Sequence, residues 1–480
     1  MASGGRIDRS RPHLGPDGSG EQTFPGDSPT AVFVASGAMV ARTSAAGRPR
    51  GVIRDGEVPG SILGFTGPAG DPAPACDVLV VGAGPAGLSA ALTAARTGLR
   101  VTVADRASGP GGAMLTDAEV RWAQETVEEL AGLGAELLFG TEVEQLSPGP
   151  EPGTPADGDP RGAGSDDDPG AGADPGGGVE VFVRHGAGRR NRIAAGRVVL
   201  ATGAVERPAL FPGNGTPGVM PAGAVRAFLL RYGVLAGEQV VLLAGDDDAY
   251  RVAGDLLAVG AAVALVDPRP DPDGAPAATY PGKSYDPVPT GSVLNESSVT
   301  GVVTDDAGCL VGVRLRAADG TGRAVPADLL AVAGGWSPEL RLFTSCGGQV
   351  AFDADRGAYL PVSDLDHLHV VGAARGLRTN AECVADGAGA GALKGLSGEM
   401  VVLPPPVDLE PTRTPPVLLP PVLDHDPAAG ERAEILLDPA TDRTVDSLTN
   451  GPGTRGPDGA GPGPEWARLL AAPAAGLPVD

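Results

Sequence analysis

The residues whose spacing can do chemistry are three glycines and an aspartate. Gly82, Gly84 and Gly87 stand in the string Gly-Ala-Gly-Pro-Ala-Gly, between an apolar run of strand type at 77–81 and an alanine-rich stretch of helical type. A strand that stops at a tight glycine turn and reopens as a helix suits phosphate. Gly82 permits the turn, Gly84 puts no side chain between backbone and pyrophosphate, and Gly87 lets helix and strand lie close. The helix start adds free N–H groups and a positive dipole end. A second apolar run, 100–104, ends at Asp105, where a carboxylate can accept hydrogen bonds from an adenosine ribose. The glycine turn alone says little. With a strand before it, a helix after it and an acid about 20 residues on, it reads as a dinucleotide site. The competing reading is a Rossmann unit that kept its shape and lost its ligand. Arg106 could admit a 2′-phosphate while Asp105 would repel one, which favours NAD or FAD over NADP.

These residues need a scaffold, and 480 residues are enough for two or three domains. With 75 Gly and 48 Pro, much of the chain is expected to be irregular. A net charge of −24 argues against nucleic acid and against anionic membrane surfaces, since both require a basic face. The positive charge is nearly all arginine; Lys283 and Lys394 are the only lysines. Cys76, Cys309, Cys346 and Cys383 form no CxxC, so neither a zinc site, an iron–sulfur cluster nor a disulfide framework is expected. His367 and His369 would share a strand face, with no third ligand nearby to make a metal site. No apolar run is long enough for a bilayer and the N-terminus lacks the apolar core of a signal peptide, so the expectation is a soluble, cytoplasmic protein.

The expected fold class is α/β, a two-domain FAD/NAD(P)-binding Rossmann-like flavoprotein fold with disordered N- and C-terminal segments. Residues 1–70 read as a disordered start followed by patterning for a short strand and helix. Residues 71–205 read as the first part of the dinucleotide-binding domain: the fingerprint unit to Gly112, a helix at 117–132, and a strand at 136–146 that brings backbone near Val143 beside the adenine. The stretch 147–178 is almost all Gly, Pro, Asp and Ala and reads as a disordered insertion. A buried strand then runs into Thr202-Gly203, expected to cross beside the dinucleotide. Residues 206–327 read as a second, degenerate Rossmann-like domain. Its strand at 239–244 opens not on a phosphate cradle but on Gly245-Asp246-Asp247-Asp248-Ala249-Tyr250, where carboxylates stand in the anion's place and complement the helix dipole instead. Residues 328–396 read as the closing part of the first domain, with a strand at 368–371, a turn from Gly372 and a helix at 380–393. Gly372 serves equally as close packing or as backbone approaching the cofactor. Residues 397–480 read as a Pro/Gly-rich tail, extended or disordered.

Several unusual strings coincide: ATGAVERPALFPGNGTPGVMPAGAVRAFLLRYGV, the turn Asp247-Asp248-Ala249-Tyr250-Arg251, LLAVAGGWSPELRLFTSCGGQVAFD and VVGAA. Together they resemble the alpha subunit of heterotetrameric sarcosine oxidase and its relatives, over residues 76–396. Gly26-Asp27, Ser36-Gly37 and Arg48-Pro49-Arg50-Gly51 are similar, more faintly, to that family's ferredoxin-like module. The resemblance implies a dinucleotide in the first Rossmann site, NAD in that family, contacted by Gly82, Ala83, Gly84, Gly87, Asp105, Arg106 and Gly112. Backbone near Val143, the turn at Thr202 and Gly203, and the segment carrying Gly372, Ala373, Leu377 and Thr379 would complete the pocket. It further implies a flavin-carrying beta-type partner, FMN or FAD at or beside that partner, and a small secondary or N-methylated amine as substrate. No residue here is implied as a proton-transfer catalyst. The sequence departs from the family in a shortened, cysteine-free ferredoxin-like module and in having no C-terminal folate-binding, aminomethyltransferase-like half, so formaldehyde transfer to tetrahydrofolate is not expected. A self-sufficient FAD-dependent oxidoreductase and a non-catalytic dinucleotide-binding scaffold are the competing functions.

Overall fold

The structure, a computed structural model, describes residues 75–148, 178–186, 189–268, 293–295, 297–317 and 319–392, with short pieces at 31–34, 39–43, 436–438, 443–444, 472 and 474–475. The expectations for most of 1–74, for 149–177 and for most of the tail, with Lys283 and Lys394, lie outside the described residues.

The fingerprint strand Ala75–Val81 is the centre of the first sheet. It is flanked in parallel by Val101–Asp105 and by the C-terminal half of Arg189–Leu200, and outside these lie Glu136–Phe139 and Leu368–Val370. Strands this apolar suit a sheet covered on both faces; Leu79, Val80, Val198 and Val199 are wholly buried. The N-terminal half of Arg189–Leu200 extends the same sheet by pairing antiparallel with Val179–His185, which pairs with Thr141–Pro148. The single strand expected at 136–146 is thus two, broken at Gly140, whose φ of 66° turns the chain. Helix Pro85–Arg96 covers one face, and closing helix Asn380–Gly391 lies against it along a seam of small residues. A Cβ on Gly387 would stand 2.0 Å from Ala86 O, and one on Gly391 2.4 Å from Ala90 O. Helix Asp117–Gly132 begins at a Thr116/Glu119 capping box, and Glu119 Oε1 also accepts Asn380 Nδ2–H at 2.8 Å, tying it to the closing helix.

The second unit is a five-stranded parallel sheet in the order Val219–Pro221, Leu329–Ala333, Gln239–Ala244, Ala262–Asp267, Val293–Asn295. Helices Ala222–Tyr232 and Asp248–Ala258 pack on one face. The antiparallel strands Ser298–Thr304, Leu310–Arg316 and Gly322–Pro326 pack on the other. Leu329–Ala333, expected to lead back into the first domain, instead pairs with Gln239–Ala244 near the middle of this sheet. The boundary expected at 328 therefore moves to the return strand. The two units are joined by paired crossings: Ala204–Glu206 leaves the first and Trp336–Pro338 returns, antiparallel, with Trp336 opposite Glu206.

At the termini, Ala31–Val34 and Met39–Thr43 form a hairpin whose second strand pairs with Val234–Leu235 of the second unit, where a strand and helix were expected. In the tail, Leu436–Asp438 pairs with Arg443–Thr444. Residues 472, 474 and 475 meet the first unit: Leu340 N–H donates to Ala474 O at 2.7 Å and Thr344 Oγ1 to Ala475 O at 3.0 Å, with Ala472 and Ala475 buried.

Candidate functional site

A cavity of about 1320 Å³ runs along the C-terminal ends of the first sheet's parallel strands and into the waist between the units. That is above the range of most small-molecule pockets and suits an extended ligand. Gly82, Gly84, Asp105, Arg106, Gly112, Val143, Thr202, Gly203, Ala373, Leu377 and Thr379 line it. Ala83, Gly87 and Gly372 do not. Ala83 is fully buried, with its N–H donated to Asp105 Oδ2 at 2.6 Å. Gly87 is a packing residue: a Cβ there would fall 1.8 Å from Gly82 O. Gly372 takes its packing reading too, since a Cβ would lie 2.6 Å from that of Ala86; its N–H goes to Asp386 Oδ2 at 2.8 Å.

The fingerprint geometry fits a pyrophosphate. Gly84 is the N-cap of helix Pro85–Arg96, no side chain caps that helix start, and its first turn has no acid. A Cβ added to Gly84 would meet nothing within 4 Å, so the space it faces is open. The positive end of a buried helix and its free N–H groups therefore open on the cavity. Asp105 does more than face a ribose. One carboxylate oxygen accepts Ala83 N–H and the other Ala107 N–H at 2.7 Å, so it ties the glycine turn to the next strand's end while lining the cavity.

The waist holds charges that the spacing of motifs did not single out. Glu206 lines the cavity and accepts Gly223 N–H at 2.8 Å; burial, and then the nearby Asp246 and Asp248, push its pKa up to about 8. Arg207 is 3% exposed, gives Nε–H to Gly334 O at 3.3 Å and an Nη1–H to Gly357 O, and is pushed down to about 10 by burial and then by Arg378. This links two of the unusual strings. A Cβ on Gly334 or Gly335 would strike Arg207, so the Gly-Gly before Trp336 makes room for the arginine after Glu206. Asp246 is raised to about 7 by burial and then by Asp248, against the pull of Arg378. The N-cap of helix Asp248–Ala258 is Asp247, but its side chain makes no cap; Asp246 Oδ1 accepts Asp248 N–H at 3.1 Å instead. The expected dipole-complementing role is met by Asp246 on the backbone N–H and by Asp248 in the first helical turn.

His367 precedes strand Leu368–Val370 with a φ of 63°, so the two histidines are not a strand pair. Among the described residues, no three His, Cys, Asp or Glu group to hold a metal, and no helix is long and apolar enough to cross a membrane.

Residues 76–274 match the family model of pyridine nucleotide-disulphide oxidoreductases. The alpha subunit of the sarcosine oxidase of Rhizobium meliloti (strain 1021) is 36% identical over 327 residues, 65% of this chain and 30% of its own length. That of Corynebacterium sp. (strain P-1) is 31% identical over 420 residues, 82% of this chain and 40% of its own. The chain is a homologue of sarcosine oxidase alpha subunits. One subunit of the opine oxidase of Rhizobium meliloti (strain 1021) is 32% identical over 197 residues, 38% of this chain and 36% of that one. Among solved structures, L-proline dehydrogenase from P. horikoshii aligns with 66% of this chain and 54% of its own at 22% identity, TM-score 0.47. The chain spans 30–40% of the length of these sarcosine oxidase subunits.

The kinship is with oxidoreductases, in an FAD/NAD-binding fold. All four cysteines are free, Cys76 in strand Ala75–Val81 and Cys383 in helix Asn380–Gly391. Cys383 alone of them lines the cavity, and burial pushes its thiol up to about 12, which keeps it protonated and a poor nucleophile. Glu206, Arg207 and Arg378 were missed as site residues. The Glu-Arg-Pro string was a signal of kinship, but nothing in its spacing pointed to the waist.

Proposed function

We propose that this chain is the dinucleotide-binding subunit of an amine-oxidising complex, with NAD or FAD along the fingerprint helix and a flavin-carrying partner that oxidises a secondary or N-methylated amine. The observation that carries the dinucleotide is the Gly84 cradle, an uncapped helix start facing open space at the edge of a cavity of about 1320 Å³. Gly82, Gly84 and Gly112 would bound the pyrophosphate; Asp105 and backbone near Val143 the adenosine; and Thr202, Gly203, Ala373, Leu377 and Thr379 the other half. A bound NAD or FAD would supply hydride-accepting chemistry. The residues of the chain hold and orient it, and none of them is proposed as a catalyst. The substrate class follows the named relatives, whose substrates, sarcosine and opines, are secondary amines.

The test is the identity of the dinucleotide released from purified protein, together with oxygen uptake on sarcosine. One tightly held NAD or FAD per chain, and no turnover by the chain alone, are expected. Turnover by the isolated yellow protein would instead establish a self-sufficient FAD enzyme, and absence of any dinucleotide affinity would refute the reading.

A further inference from the structure

Arg378 is a cavity-lining cation whose side chain has unused hydrogen-bonding capacity among the described residues. It sits between Leu377 and Thr379 in the segment that enters helix Asn380–Gly391, and its backbone N–H is fixed by Glu382 Oε2 at 3.3 Å. Its side chain makes no hydrogen bond among the described residues. Its one ion pair among them is to Asp246 Oδ2 across the waist, at 3.9 Å, which is beyond hydrogen-bond reach. Asp246 is anchored by Asp248 N–H and is 1% exposed, with Oδ2 lacking a hydrogen bond. Arg207, likewise buried, has an Nη2 with no hydrogen-bond partner among the described residues and lies near enough for its charge to repel that of Arg378. The guanidinium is thus attracted by an acid of the second unit and repelled by the arginine that follows strand Ala204–Glu206. That holds a five-donor planar fork at the cavity wall, and such a fork matches an sp² oxygen acceptor.

We propose that Arg378 recognises a carbonyl or carboxylate oxygen at the waist end of the cavity, with Asp246 as its positioning residue. The inference rests on the dinucleotide reading for its orientation: with the pyrophosphate at Gly84 and adenosine toward Asp105, the waist receives the opposite end of the ligand. The oxygen has two sources, the carboxamide of a bound nicotinamide or the carboxylate of a small acid that enters beside the dinucleotide.

Calorimetric titration of wild type, Arg378→Gln and Asp246→Asn with NAD, ADP-ribose, free nicotinamide and acetate separates these. ADP-ribose keeps both phosphates and lacks the carboxamide. If the carboxamide is the source, Arg378→Gln loses about ten- to hundredfold in NAD affinity, the loss of one charge-assisted bond, while ADP-ribose affinity stays constant. If a small acid is the source, the NAD to ADP-ribose ratio is unchanged and acetate binding to the ADP-ribose complex is lost. Asp246→Asn should weaken the same ligand by a smaller factor, and the double variant should lose no more than Arg378→Gln alone, a coupling that a merely structural role would not produce. Identical affinities of wild type and Arg378→Gln for all four probes overturn the proposal. If wild type binds neither NAD nor ADP-ribose, the dinucleotide reading fails separately. Nicotinamide and acetate then judge Arg378 on the empty protein, and binding insensitive to Arg378→Gln, or no binding of either probe, overturns it.

Discussion

Gly84→Val and Gly87→Ala, three residues apart in one motif, should have opposite consequences. Gly84 has φ −79° and ψ −174°, an extended conformation open to any L-residue, and its Cβ position is clear to 4 Å. Valine there costs the fold little more than a poorer N-cap, about 1 kcal/mol, or roughly 2–4 °C of melting temperature for a domain of this size class. The isopropyl group would occupy the space through which a pyrophosphate reaches the helix N–H groups. Losing two charge-assisted bonds at about 1.5–3 kcal/mol each weakens dinucleotide binding at least about a hundredfold. At Gly87 the added Cβ falls 1.8 Å from Gly82 O and 3.0 Å from the Ala201 Cβ, so helix and strand must separate and the central sheet loses its packing. Differential scanning fluorimetry and calorimetry with NAD and FAD read both effects. Wild-type affinity in Gly84→Val, a drop in its melting temperature beyond about 10 °C, or an unperturbed Gly87→Ala would each refute the reasoning.

Asp105→Ala should lower both dinucleotide affinity and melting temperature, because it strands the buried Ala83 N–H at a cost of about 1–3 kcal/mol; an unchanged melting temperature would show that the tie is dispensable. Glu206 binds a proton up to about pH 8 in the folded protein, against an ordinary value of 4.5. Between those values the folded state holds the extra proton, so this group's contribution to stability falls as pH rises through the window. Glu206→Gln should flatten the decline in melting temperature between pH 5 and about pH 8, and parallel wild-type and variant profiles would contradict the raised pKa. Replacing residues 150–176 by a short Gly-Ser bridge should leave melting temperature and cofactor content nearly unchanged. Pro148 and Val179 are already paired as strand neighbours and loop-closure entropy varies slowly with length, so a large drop would mean that the segment packs on the body.

The fingerprint was legible because its meaning lies in local order: strand, glycine turn, helix, then an acid, each recognisable within a short window. Spacing could not say which members face the ligand. Ala83 and Gly87 belong to the motif but turn inward, one to hand its N–H to Asp105 and the other to admit the backbone of Gly82. Leu329–Ala333 is buried at every position, a pattern that fits a central strand of either sheet, and only the pairing with Gln239–Ala244 assigns it. The waist charges were illegible for a different reason. Arg207, Asp246 and Arg378 are brought together by two crossings and a closing turn, and no local pattern in the sequence encodes that meeting.

The second unit shows what separates a nucleotide-binding turn from one that only looks like it. The two turns correspond residue for residue in their secondary structure. Val81 and Ala244 end the strands, Gly82 and Gly245 follow, Gly84 and Asp247 are the N-caps, and Gly87 and Tyr250 take the third helical position. The acid that ends the next strand is Asp105 in the first unit and Asp267 in the second. In the first unit the small residues leave the helix start open and Asp105 at the cavity. In the second, a carboxylate stands at the N-cap, Asp246 is drawn onto the backbone of its own turn, and Tyr250 Oη donates to Asp267 Oδ2 at 2.8 Å within the buried interior. Both determinants of a dinucleotide site, the open cradle and the ribose acid, are therefore consumed internally. The fold itself is undisturbed, because a parallel strand–helix–strand unit owes its stability to its buried faces rather than to its ligand. The second unit contributes instead a wall to the cavity of the first, with Asp248, Arg251 and Val252 among its lining residues.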